Sequence, residues 1–227
     1  MRICEIFESI QGEGLLAGVP SLFIRASGCN LRCAWCDTPY ASWAPEGEEW
    51  SVNRLAARVR ESRLRHVVIT GGEPMIFADL VPLTHSLKEE GRHITIETAG
   101  TVDADVACDL MSISPKMSNS TPHGIEGGRW VEIHERARLR VDVLRRLTAR
   151  YDYQLKFVVS APDDLGEICS LAERLGAPPE RVLLMPQGVT AEELRERSLW
   201  LVDLCRETGF RYCPRLHIFL YGNRRGV

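Results

Sequence analysis

The chain has 227 residues, 44% of them hydrophobic and 26% charged, with 18 Gly and 12 Pro. That is enough for one α/β domain with a sizeable core or two small domains, and it excludes collagen-like, low-complexity and disordered classes. With 28 Lys+Arg against 31 Asp+Glu the formal charge is −3, which gives no global drive toward nucleic acid or an anionic membrane. No apolar run approaches the roughly 20 residues that span a bilayer. The opening residues, MRICEIFESIQ, lack a basic stretch followed by an apolar one, so a cytoplasmic protein is expected.

In chain order, strand-like runs fall at 3–7, 21–27, 66–70, 93–97, 110–114, 154–159, 182–186 and 212–220, each apolar or alternating and rich in β-branched residues. Helical patterns separate them. Ser51 caps a predicted helix over 52–62, and Leu80, Leu83 and Leu87 share one face of 78–90. Asp163 and Asp164 open a helix that Gly176 ends, and Thr190 with Glu193 forms a capping box for a helix to Thr208 stopped by Gly209. Strands alternating with helices predict right-handed βαβ units and a parallel sheet. About six units follow Ser21, too few for a closed eightfold barrel, so an open, partial barrel is expected. Neither a linker nor a repeat divides it, and residues 1–227 read as one domain.

The segments 39–50 and 115–128 read as long loops. From Arg129 to Arg150 run seven Arg against Glu132, Glu135 and Asp142. A helix with that stripe has two readings, an acidic-partner surface or a solvated face with Val141, Leu144 and Leu147 turned inward.

Eight cysteines are the unusual item. Cys4, Cys108, Cys169, Cys205 and Cys213 are scattered and read as small core hydrophobes. Cys29, Cys33 and Cys36 crowd into C-x3-C-x2-C, and thiolates select zinc or iron–sulfur centres. A closed zinc site needs four ligands, so His66 or His123 would have to complete one. A four-iron cube on three thiolates instead keeps one iron open for chemistry. Further on, Thr70-Gly-Gly-Glu-Pro74 follows the strand HVVIT, where paired glycines let backbone approach a ligand closely. Polar candidates recur just past successive strands: Cys29 to Thr38, Thr70 to Pro74, Glu97-Thr98, Ser114-Pro115-Lys116 and Gln187. In parallel barrels those ends share one face, where active sites form.

The cysteine spacing, with Trp35 before the last Cys, resembles the radical S-adenosylmethionine (SAM) enzymes, and TGGEP resembles their GGEP motif. The stretches FESIQGEG (7–14), Phe23-Ile24-Arg25, C-D-T (36–38) and Leu216-His217 resemble the 7-carboxy-7-deazaguanine synthases over essentially the whole chain. That resemblance implies a lyase which contracts 6-carboxy-5,6,7,8-tetrahydropterin to 7-carboxy-7-deazaguanine with loss of ammonia, on the way to queuosine. The adenosyl radical is made at the open iron, so no side chain is expected to carry the radical chemistry.

Residue by residue, the resemblance assigns Cys29, Cys33 and Cys36 to a 4Fe-4S cluster and Thr38 to Mg2+. It assigns Ile10, Gln11, Gly12, Glu13, Arg25, Thr70, His217 and Val227 to the pterin. SAM falls to Trp35, Cys36, Asp37, Gly72, Glu73, Glu97, Ser114, Pro115, Lys116 and Gln187. A homodimer and a reductant such as flavodoxin are implied, with neither nucleic acid nor membrane as partner. The ten residues from His217 to Val227 are a departure, a tail longer and more basic than the family pattern. Two rival readings share the triad: a glycyl-radical activating enzyme, and a non-catalytic zinc or iron–sulfur electron carrier.

Overall fold

The computed structural model describes residues 1–227. Nine strands form one sheet in the order β3-β1-β2-β4-β5-β6-β7-β8-β9. They are β1 (Arg2–Ile10), β2 (Pro20–Ala26), β3 (Glu48–Glu49), β4 (His66–Gly71), β5 (His93–Thr98), β6 (Leu110–Ile113), β7 (Tyr153–Val159), β8 (Val182–Pro186) and β9 (Arg211–Tyr212). From β2 to β9 every neighbouring pair is parallel, while β1 runs antiparallel to both β2 and β3. Six full-length parallel strands and a two-residue β9 make a sheet with free edges, consistent with the expected partial barrel.

The crossovers use α1 (Pro39–Ser42) and α2 (Val52–Glu61) before β4, and α3 (Leu80–Glu89) before β5. Next come α4 (Val131–Arg138) and α5 (Val141–Arg150) before β7, α6 (Leu165–Leu175) before β8, and α7 (Ala191–Thr208) before β9. Residues 99–109, between β5 and β6, cross without a helix. Local chemistry sets the ends where it is strongest. Ser51 accepts from the Arg54 amide at 3.2 Å, and Thr190 and Glu193 close the expected capping box. No helix is long and apolar enough to cross a membrane.

Period-two alternation gives each parallel strand two different faces. Leu22, Ile24, Val67, Ile69, Ile94, Ile96, Met111, Ile113, Leu155, Phe157 and Leu184 enter one core cluster beneath the helices. Each such side chain contributes about 1.5–3 kcal/mol by leaving water. The alternate positions, among them Arg25, Thr70, Glu97, Ser112, Lys156 and Met185, line a cavity inside the barrel.

Three expectations are corrected. Residues 212–220 are not a strand: β9 ends at Tyr212, Pro214 has no N–H to continue the ladder, and Leu216–Tyr221 form helix α8. The Arg-rich segment is two helices, because Leu139 turns extended (φ −129°, ψ 93°) and packs against the core. The 39–50 and 115–128 segments hold short elements, α1 and β3 in the first and two single 3-10 turns in the second. Of the seven arginines, Arg129, Arg136, Arg138, Arg140, Arg146 and Arg150 pair with nearby carboxylates and Arg145 donates to the Arg174 carbonyl. Most of the stripe's charge is therefore paired with carboxylates of the same surface.

Candidate active site

The C-terminal ends of the parallel strands open into a cavity of about 230 Å3. At one end lies the loop after β2, with all three thiols of the triad lining the cavity and none in a disulfide. The loop is held from several sides. Arg32 Nη1 donates to the Cys29 and Leu31 carbonyls at 2.9 and 2.7 Å, and the Trp43 indole donates to the Cys33 carbonyl at 3.1 Å. From the other side, His134 Nδ1 accepts from the Arg32 amide at 3.2 Å, and the Ser120 carbonyl accepts from Ala34 at 2.8 Å.

Burial pushes the thiols of Cys29 and Cys33 up, to about 11 and about 12. As free thiols they are protonated at neutral pH, and a metal centre would take the proton's place. The Leu31 amide donates to Cys29 Sγ at 3.4 Å, a bond that favours a thiolate ligand. Three soft donors that face one cavity suit a soft-metal centre.

Beside the triad, Lys116 Nζ donates to the Ser114 carbonyl and Oγ at 2.7 and 2.8 Å and lies 5.7 Å from the Trp35 ring centre. Ser114, Lys116 and Trp35 thus form one cationic and aromatic wall next to Cys36. Gly72 packs where a Cβ would fall 2.2 Å from the Gly28 carbonyl oxygen, so only glycine brings the β4 end this close to the cluster loop.

Glu73, Pro115 and Gln187 do not line the cavity, whereas the other expected site residues do. Glu73 is wholly buried, and its carboxylate accepts from the Met75 and Ala99 amides at 3.0 and 2.8 Å and from Thr98 Oγ1 at 2.8 Å. Burial raises its pKa against those three bonds. It ties the end of β4 to the end of β5 and so shapes the wall from behind. The Gln187 carbonyl accepts from Arg197 Nη1 at 2.5 Å.

At the opposite end the N-terminal turn closes over the barrel. The Gly12 carbonyl accepts from the Leu216 amide at 2.9 Å, the Gly14 amide donates to Cys213 Sγ at 3.1 Å, and the Leu15 amide donates to Gln154 Oε1 at 2.7 Å. The His217 side chain packs directly on Gly12, where a Cβ would fall 1.9 Å from His217 Nδ1 and displace the ring. The turn delivers Glu13 between Lys156 and Arg215, with His217 Nε2 at 4.0 Å from Glu13 Oε1. Against the cost of its partial burial, those cations hold the Glu13 carboxyl well below the usual range. Arg215 also donates to Asp37, and it holds that carboxyl low against its burial.

Glu97, expected on the SAM side, sits in this second group and accepts from Gln11 Nε2 at 3.1 Å and Thr70 Oγ1 at 2.7 Å. Nearby, Arg25 Nε donates to Glu5 at 2.5 Å, while its two terminal nitrogens have no protein acceptor. Glu5 Oε1 also accepts from Tyr40 Oη at 2.9 Å, so the guanidinium is clamped from behind with its fork free. Two central residues, Lys156 and Arg215, were not expected from sequence. Lys156 carries a readable signal, a charge at an inward position of the apolar strand QLKFVV.

Comparisons with known proteins show the family. The Radical SAM superfamily model matches residues 23–140. The chain is 46% identical to the 7-carboxy-7-deazaguanine synthase of Rhodopirellula baltica, covering 100% of this chain and 89% of the relative. It is 44% identical to that of Halobacterium salinarum, covering 98% and 91%. Among solved structures, QueE from Escherichia coli superposes with a TM-score of 0.68 at 28% identity, covering 93% and 92%. Streptococcus suis SuiB, 13% identical with a TM-score of 0.58, shares the fold alone. A cysteine triad, a GG-containing strand end and a polar pocket meeting in one partial barrel, with full-length identity of this order, place the chain in the radical SAM superfamily and, within it, in the 7-carboxy-7-deazaguanine synthase family.

Proposed function

We propose that the chain converts 6-carboxy-5,6,7,8-tetrahydropterin to 7-carboxy-7-deazaguanine with loss of ammonia, a carbon–nitrogen lyase step in queuosine and related 7-deazapurine biosynthesis. One observation carries the reading: a single cavity joins the three thiols to a clamped guanidinium with a free fork and a row of polar side chains. When bound, the four-iron cluster and SAM supply the radical that removes a hydrogen atom from the substrate.

The chain's own residues bind, orient and exclude water. Cys29, Cys33 and Cys36 hold the cluster, and the Trp35–Ser114–Lys116 wall with Asp37 and Gly72 receives SAM. The free fork of Arg25 takes the substrate carboxylate through two parallel hydrogen bonds. Ile10, Gln11, Gly12, Glu13, Thr70 and His217 hold the pterin ring, with Val227 at the rim. Phe7 and Phe23, stacked with ring centres 5.0 Å apart, line the same cavity and keep water from the substrate. Thr38 heads α1 without making a side-chain cap bond, its hydroxyl 3.9 Å from Cys36 Sγ at the cavity wall, and that hydroxyl takes Mg2+, an ion content with few protein ligands. A flavodoxin-like reductant, a homodimer, a cytoplasmic location and action as one unit over 1–227 complete the proposal.

Anaerobic reconstitution with iron and sulfide, followed by SAM, a reductant and carboxytetrahydropterin, tests it. About four irons per chain and product with released ammonia are expected. Cys33→Ala should lose iron and turnover together, while Cys169→Ala keeps both. Zinc in place of iron, or SAM cleavage without pterin conversion, would refute the reading.

A further inference from the structure

In β7 the outward residues Leu155, Phe157 and Val159 enter the helix-covered core, so Gln154, Lys156 and Val158 face the barrel interior. A lysine at such a position gives up rotamer freedom and the hydration of its ammonium, and it persists only with carboxylate partners. Lys156 is 4% exposed. Its ammonium hydrogen-bonds Glu13 from the N-terminal turn, and Nζ lies 3.7 Å from Glu97 Oε1 on β5. Three elements far apart in sequence meet on this one nitrogen.

Its two carboxylates are not equivalent. Glu13 has a second cation, Arg215 Nε at 3.0 Å, and His217 at 4.0 Å. Glu97 has no other cation within salt-bridge distance, and its remaining partners, Gln11 and Thr70, are neutral donors. Without Lys156, Glu13 would stay paired and Glu97 would not. An uncompensated carboxylate in a largely enclosed site turns toward water or recruits it. Gln11 and Thr70, which donate to Glu97, would lose their alignment with it.

We propose that Lys156 is a positioning residue for substrate binding: by bridging Glu13 and Glu97 it holds the Gln11–Glu97–Thr70 row in register along the cavity wall. This rests on the pterin reading of the cavity. A 2-amino-4-oxopyrimidine ring presents adjacent N–H donors and a carbonyl acceptor, so it recognises a row of acceptors and donors at fixed spacing. Such a ring loses affinity when the row loosens, while the thiol end of the cavity is untouched. The expected kinetic signature is a raised KM with a smaller change in kcat.

A double-mutant cycle with the reconstituted full chain tests this, reading KM for carboxytetrahydropterin, kcat and iron content. Lys156→Met should raise KM about tenfold or more over wild type, with iron content retained. In a Glu97→Gln background, which removes the charge and keeps the shape, the same change should alter KM less than about threefold, since contacting residues couple non-additively. An equal KM factor in both backgrounds overturns the proposal, as does an unchanged KM in Lys156→Met. Should Lys156→Met alone fail to fold, the doubly substituted chain decides. Bound iron and a KM near that of Glu97→Gln support the bridge, and loss of iron from both makes Lys156 a structural cation and overturns it. A wild-type enzyme that does not convert the pterin overturns the functional reading and this inference together, whereas wild-type conversion with an uncoupled cycle overturns only the role of Lys156.

Discussion

The guanidinium of Arg225 lies 3.7 Å from the centre of the Tyr40 ring, and its Nη1 donates to Glu46 at 3.0 Å. This contact pins the segment that follows α8 across the mouth of the cavity, where Asn223, Arg224, Gly226 and Val227 line it. Tyr40 in turn donates to Glu5, the residue that clamps Arg25. The C-terminal tail is therefore fastened to the segment behind the proposed carboxylate site.

Arg225→Ala should loosen that strap. A cation–π contact at a half-exposed site is worth about 0.5–1 kcal/mol, a factor of about two to five in an equilibrium constant. KM for the pterin should rise by about that factor, with the thermal midpoint nearly unchanged. Steady-state kinetics on the reconstituted enzyme decide it, and an unaltered KM would show the strap to be ornamental.

Two glycines should respond in opposite directions. At Gly72 an added Cβ meets the backbone oxygens of Gly28 and Ala41 at 2.2 and 2.5 Å. Gly72→Ala must push the β4 end away from the cluster loop, at about 1–3 kcal/mol or more of stability and with reduced iron content. At Gly166, in the exposed first turn of α6, a Cβ meets nothing within 4 Å. There the helix gains from alanine, so Gly166→Ala should stabilise by up to about 1 kcal/mol. Thermal unfolding of the two variants against wild type checks both signs.

His134 should make the fold sensitive to acid. Its Nδ1 accepts from Arg32 and its Nε2 bonds with Ser120 Oγ at 2.9 Å, an arrangement assigned to the neutral ring. Burial lowers its pKa to about 4 from 6.5. Because the folded value is depressed, the unfolded chain takes up the proton first. Stability is complete above pH 6.5 and falls as pH drops through the window toward 4. The loss at pH 5 is on the order of 2 kcal/mol. Urea unfolding at pH 7.5 and 5 should show it, and His134→Gln should remove that part of the difference. An identical pH response in the variant would acquit His134.

Where signals were local, the chain was readable in advance. The seven strands from β1 to β8, leaving out the two-residue β3, and the helices α2, α3, α6 and α7 lie within a few residues of their expected places. They do so because alternation, capping boxes and stop glycines act over a few positions. The misreadings came where a distant contact overrode a local pattern. Residues 216–221 look like strand but are drawn into a helix by Pro214 and by the bond from the Leu216 amide to Gly12. Nor does the TGGEP motif reveal that the Glu73 carboxylate is bonded to Thr98 and Ala99 at the end of β5, a contact across 25 and 26 positions.

Of the eight cysteines in this short α/β chain, three carry the signal for its chemistry. Three thiols at C-x3-C-x2-C on a loop after the first parallel strand point to a soft-metal centre, zinc or iron–sulfur, and the resemblance of that spacing to the radical SAM enzymes implies the four-iron cluster. Local sequence also determined that this loop and the TGGEP turn would open on the same face, since parallel strands place their C-terminal ends together. Only the tertiary structure decided how the charges pair inside. Glu13 and Arg215 stand 202 positions apart, and Glu13 and Lys156 stand 143 apart. Electrostatic partnership depends on distance in space and on exclusion of water, and neither is written in the spacing of residues along a chain.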